Sequence, residues 1–183
     1  SEVYNVPLPG YGPRGADIDL EGVVWVSLGS GHLGEFDRRK CQAELSGPEA
    51  AMGDHCPEGW TFHRYPGPGF PESPELSAES SYYSWVDQHN VTGLGDDVPM
   101  STANLYDGVH ALVDDEWVTM RILYPLGFYS KGFEGRIDDP NAGWKGRGLW
   151  VTSGDRTPWL KEGGQGTRPL VVHFQARPDP LAH

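Results

Sequence analysis

Two stretches far apart in the chain carry the same parts in the same order. "GPRGADIDLEGVVWVSLGSGHLGEFDRR" begins at Gly12, and "SKGFEGRIDDPNAGWKGRGLWVTSG" with the later "LVVHFQAR" begins at Ser130. Arg14-Gly15 matches Lys131-Gly132, Ile18-Asp19 matches Ile137-Asp138, and Trp25-Val26-Ser27 matches Trp150-Val151-Thr152. Phe36 and Arg39 match Phe174 and Arg177, with "RTPWLKEGGQGTR" read as an enlarged hairpin loop in the second copy. Each copy sets Val, Ile, Trp and Phe in short runs cut by Gly, Asp and Pro, which is strand and turn chemistry.

A middle segment, "GVHALVDDEWVTMRILYP", supplies a related hairpin. Val109 to Val113 pairs with Trp117 to Leu123 about a turn at Asp114-Asp115-Glu116 that lacks glycine. A small antiparallel unit recurring every few tens of residues predicts a β-propeller, whose blades are short meanders packed face to face. The expected fold is therefore all-β and propeller-like, with about three blade units in one domain spanning residues 1–183. Three blades make a partial or open propeller, because closed ones usually hold four to eight. Residues 41–99 show no comparable repeat and are rich in Pro, Gly and Ser, so they are expected to form a long irregular insertion. Trp25, Trp117 and Trp150 occupy the repeated strand positions and are expected in the blade core.

Composition agrees with a turn-rich β protein. Gly (25) and Pro (16) are abundant, yet seven Trp and an aromatic share of 11% supply core material that disordered chains lack. The net charge of −12 argues against nucleic acid, whose binding draws on clustered Lys and Arg. No apolar run approaches the eighteen or so residues of a membrane helix, so a soluble chain without a membrane-spanning segment of its own is expected. Cys41 and Cys56 fit neither a zinc ribbon nor a redox pair. A disulfide between them would stabilise the fold by about 3 kcal/mol and point to an oxidising compartment; two free thiols are the alternative.

Seven histidines, at 32, 55, 63, 89, 110, 173 and 183, show no metal-binding spacing. His89 in "WVDQHN" is the best catalytic candidate, because Asp87 and Asn90 beside it would fix its tautomer and charge. "RIDDPN" offers Asp138, Asp139 and Asn141, oxygens that would begin a calcium or magnesium site. The competing reading is an Asx-type turn around Pro140. Asp96-Asp97 and Asp114-Asp115 are adjacent acids that point to opposite faces of a strand and read as turns. No nucleophile elbow, phosphate loop or dinucleotide fingerprint is present, and no cofactor is expected beyond a candidate divalent cation.

"GPRGADIDLEGVVWVSLGSGHLGEFDRRKC", "HCPEGW", "WVDQHN", "YPLGFYSKGFEGRIDDPNAGWKGRGLW" and "VVHFQARPDPLAH" resemble the C-terminal region of large bacterial periplasmic proteins. These are streptogramin-lyase-like (virginiamycin B lyase-like) β-propeller proteins with carboxypeptidase-regulatory-like domains. The resemblance implies a periplasmic location and a Cys41–Cys56 disulfide. Longer members of that family carry a c-type cytochrome segment, whereas this chain has no CxxCH. The lyases use histidine and magnesium, and no histidine here matches those positions residue by residue.

The expected function is a non-catalytic periplasmic accessory or scaffold subunit. It would dock on a larger membrane-associated electron-transport complex, respiratory or photosynthetic, with protein subunits and a c-type cytochrome as partners. The long loop and the closing "RPDPLAH" would supply contacts. Two alternatives are a lyase-like propeller enzyme, or a fragment of one, with a divalent metal near His89 and Asp138, and a periplasmic ligand-binding module marked by exposed Trp144 or Trp159.

Overall fold

The structure is a computed structural model, and it describes residues 1–43, 46–79, 81–122, 128–153 and 170–175. The loop 156–168, Trp159, Arg177 and the closing segment 177–183 lie outside the described residues.

The protein is all-β and propeller-like, built of three antiparallel meanders. The first sheet has the order β1 (Pro13–Ile18), β2 (Val24–Leu28), β3 (His32–Phe36), β4 (Trp60–Arg64). The second runs β5 (Ser84–Asp87), β6 (Val98–Ala103), β7 (Gly108–Val113), β8 (Glu116–Arg121). The third runs β9 (Phe133–Ile137), β10 (Arg147–Ser153), β11 (Leu170–Phe174). The innermost strands β1, β5 and β9 lie side by side, as blades do around a propeller axis.

Residues 41–99 do not form one continuous insertion. They hold β4, β5 and the start of β6, so the described irregular parts are the stretches 41–43, 46–59, 65–79, 81–83 and 88–97. Five-residue "WTFHR" and four-residue "SWVD" are too short to show a period among so many prolines. The turn between β7 and β8 is Asp114-Asp115, both in the left-handed region at φ 49° and 63°. That is the conformation of a two-residue primed hairpin turn, which Asp tolerates in place of Gly.

Alternation along the strands gives each sheet two faces. In the first sheet Val26, Gly34 and Phe62 share a register row, and Val24, Phe36 and Trp60 share the next, on the face turned away from the second sheet. This outward face is covered by the chain itself. Tyr4 packs on Phe36 (4.6 Å) and on His55 (4.9 Å), and Gly10 sits tightly against Phe62 and Val6. Val3 N–H donates to Ala50 O and Asn5 N–H to Gly53 O, so residues 3–5 run along the loop closed by the Cys41–Cys56 disulfide. Arg38 clamps Glu2 at 2.6 Å and, together with the Tyr4 hydroxyl, holds the Glu2 carboxyl at about 2.

The second sheet is two-sided. Ser84, Ser101, His110 and Thr119 form a polar row toward the first sheet. Met100 and Ala111 on one row, and Val109 on the next, face the third sheet, where they join Phe128, Phe133, Leu149 and Val151 in the main apolar core. Gly135 of β9 is required here, because a Cβ would collide with the Trp85 ring of β5.

Candidate functional site

The inner strands are tied to one another by polar contacts. Gly15 N–H donates to Tyr82 O (3.1 Å), Val86 N–H to Asp17 Oδ2 (2.8 Å), and Gln88 Nε2 to Ile18 O (2.7 Å). A groove of about 290 Å³ runs between β1, β5 and β9, with Asp17, Trp85, Gln88, Glu134 and Arg136 among its walls. At the end where these strands begin, Arg14 and Lys131, matched in the sequence repeat, both lie over the Tyr82 ring at 4.3 and 5.2 Å.

Between the first two sheets lies a closed polar seam. Ser27 Oγ is within hydrogen-bond distance of Ser81 (2.8 Å), Ser84 (2.7 Å) and the Tyr65 hydroxyl (3.4 Å), and Tyr65 donates to Ser101 (2.8 Å). Beyond Tyr65, His110 Nδ1 pairs with Thr119 Oγ1 at 2.9 Å, while its Nε2 lies 3.4 Å from Glu79 Oε2 with both side chains fully buried. Glu79 Oε1 also accepts from Leu105 N–H. Burial pushes the Tyr65 phenol above its ordinary value of 10.0, with the serine hydroxyls opposing. No solvent reaches the buried members of this seam, so its chemistry is adhesion between sheets. Sequence reading missed His110 and Glu79. The available signal was the alternation in "GVHALV", which puts His110 on the side opposite Val109 and Ala111.

The structure does not bring the sequence candidates together. His89 is exposed, and the neighbours expected to orient it are used elsewhere. Buried Asp87 accepts from Val91 N–H, Thr92 N–H and Thr92 Oγ1, and Asn90 accepts from Gly95 N–H. Asp138 accepts the Trp150 indole N–H at 2.8 Å, and Asp139 accepts the Asn141 backbone N–H at 3.0 Å, which is the Asx-type turn. Among the described residues no group of three or more His, Cys, Asp or Glu is placed to hold a metal ion. Trp144 carries Arg147 over its ring at 5.1 Å. Cys41 and Cys56 are joined as a disulfide. Among the described residues no helix is long and apolar enough to cross a membrane.

The repeat is sharper in space than in sequence. By register Trp25 pairs with Asp17 and Trp150 with Glu134; counting two residues back from each acid and two on from each Trp, Gly15, Asp17, Ser27 correspond to Gly132, Glu134, Thr152. Ile18 then stands where Gly135 does. Ile137-Asp138 falls two residues late, yet Asp138 still takes the same indole bond that Asp19 takes from Trp25.

Trp25 and Trp117 are half-buried against Leu33, Tyr65 and Leu112. Trp150, expected in the core, is 42% exposed, since no sheet packs on its side of β10 among the described residues. Its indole stacks on His173 at 4.4 Å, with Val171 (70% exposed) on the same face. Beside it lies an open depression of about 320 Å³ walled by Tyr83, Gly132, Phe133, Glu134, Trp150 and Thr152.

No family model and no curated protein matches the chain. Among solved structures, a catalytically inactive virginiamycin B lyase from Staphylococcus aureus with quinupristin is similar at 12% identity and a TM-score of 0.47. The match covers 81% of this chain and 36% of that one, so the chain spans about a third of the length of the lyase it matches.

Proposed function

We propose that this protein is a non-catalytic accessory or scaffold module that docks on a larger assembly through its third sheet. The observation that carries the reading is an asymmetry. The outward face of the first sheet is sealed by Tyr4 and the disulfide loop, while the outward face of the third presents Trp150, Val171 and a depression beside them. Exposed aromatic and aliphatic side chains grouped on one sheet face favour a protein partner over solvent.

The disulfide favours an oxidising compartment, the bacterial periplasm in this reading. Resemblance to proteins whose longer members carry a c-type cytochrome segment favours a membrane-associated electron-transport assembly, respiratory or photosynthetic, as host. Gentle extraction from membranes of the source cells, followed by size separation and mass spectrometry, tests the proposal. Co-migration with a defined set of membrane subunits is the expected result. Migration of the intact protein by itself would sink the accessory role and call for a ligand and metal screen.

A further inference from the structure

The contacts by which the first sheet holds the second have counterparts on the third sheet that lack a neighbour of that kind among the described residues. Gly15 lets a backbone approach closely: a Cβ there would meet Tyr83 Cα at 2.8 Å and Tyr82 O at 3.0 Å. Asp17 takes the Val86 N–H of β5, and Ser27 meets Ser84 of β5 at 2.7 Å. These three positions therefore form the seat of the next blade's inner strand. Their equivalents by register, Gly132, Glu134 and Thr152, line the depression beside Trp150. Among the described residues a Cβ at Gly132 would meet only Thr152 Oγ1, at 3.9 Å. Glu134 and Thr152 are exposed, the former paired with Arg136 at the surface and the latter bonded to Gly132 O within its own sheet.

We infer that Gly132, Glu134 and Thr152 form an unfilled inner-strand seat, and that its occupant is the edge strand of an antiparallel β-sheet in a partner polypeptide. This deepens the docking role proposed above and rests on it. The partner strand offers a free backbone N–H to Glu134 and a small hydroxyl side chain toward Thr152, as Val86 and Ser84 of β5 serve the first sheet, and the sheet behind that strand offers an apolar residue over Trp150, as the cluster holding Leu112 of β7 does for Trp25. Self-association through this seat is disfavoured, because the corresponding outward face of a second copy is covered by Tyr4 and the disulfide loop.

The test places a photo-crosslinking benzoylphenylalanine in place of Tyr83, exposed on the wall of the depression, in the full chain in source cells, with one at Met52, exposed on the sealed side, for comparison. After irradiation the complex is isolated and the joined peptides sequenced. A crosslink from position 83, absent from position 52, to a β-strand of one other protein is expected. Glu134→Lys and Thr152→Arg should each weaken retention in the complex about tenfold or more, as central interface changes do. The isolated variants should melt as the wild type does, because both side chains are exposed. Crosslinks to a second copy, or to a helix or loop, overturn the strand seat. So does an intact complex that both variants leave undiminished, although docking by another face then survives. If no complex exists in cells, the docking role falls as well.

Discussion

Trp25 gives its indole N–H to Asp19 at 3.0 Å across the first hairpin, and Asp19 also accepts from Glu21 N–H and Val23 N–H. Three donors lose their acceptor in Asp19→Ala, and the bonds from Val23 and Trp25 are part-buried, so a loss of about 1–3 kcal/mol is expected in urea unfolding. The matched change Asp138→Ala removes one exposed bond and should cost about 1 kcal/mol or less.

Asp138 and Asp139 are committed to Trp150 and to the Asn141 backbone. Millimolar calcium or magnesium should therefore leave the melting temperature unchanged. A rise that Asp138→Asn abolishes would restore the metal site.

The seam between the first two sheets should dominate sensitivity to core substitution. His110→Ala opens a buried hole and strips Thr119 and Glu79 of a fully buried neighbour, and a loss of about 3 kcal/mol is expected in chemical denaturation. Tyr65 adds an alkaline signature. Its folded value lies above the ordinary 10.0, so its contribution is whole below that pH and is lost as the pH rises through the raised value. Tyr65→Phe should remove that part of the alkaline decline, while absorbance of the ionised phenol follows the wild type.

His32 gives the acid-side counterpart. Burial holds its imidazole below the ordinary 6.5, so the folded state favours the neutral ring. Stability is whole above about 6.5 and falls as the pH drops toward the depressed value. His32→Gln should flatten the stability profile across that interval, read from denaturation midpoints at successive pH values.

Reducing Cys41–Cys56, or replacing both by serine, should cost about 3 kcal/mol for a loop of this length. The same change should loosen residues 3–5 from Ala50 and Gly53 and admit a hydrophobic dye to Phe36 and Trp60. Unaltered dye binding would mean that the packing of Tyr4 alone keeps the face closed.

The repeat was legible because its identifying residues make the same bond in both copies: Asp19 with Trp25, Asp138 with Trp150. The second sheet was half legible, since its Asp87 ties down the following turn through Val91 and Thr92 and no Trp stands on β6 to complete the pattern. β4 and β5 stayed hidden because they owe their form to β3 and β6 alongside them, which short-range pattern does not record. The site was less legible still. The sequence repeat matches Gly132 to Gly15 and Thr152 to Ser27, but Glu134 joins them opposite Asp17 only through the strand register, and what the three positions seat shows only in the packing of β5 on the first sheet. His89, the residue singled out by its neighbours, proved to have neighbours occupied by their own loop.

The Tyr4 cover on the first sheet bears finally on stoichiometry. Head-to-tail growth requires every molecule to offer two complementary surfaces, and open-ended fibres follow when such contacts do not close into a ring. A molecule stoppered on one side and receptive on the other terminates such growth. Docked as proposed, it would accept one neighbour and pass nothing on, so the expected product at any concentration is a single finite complex.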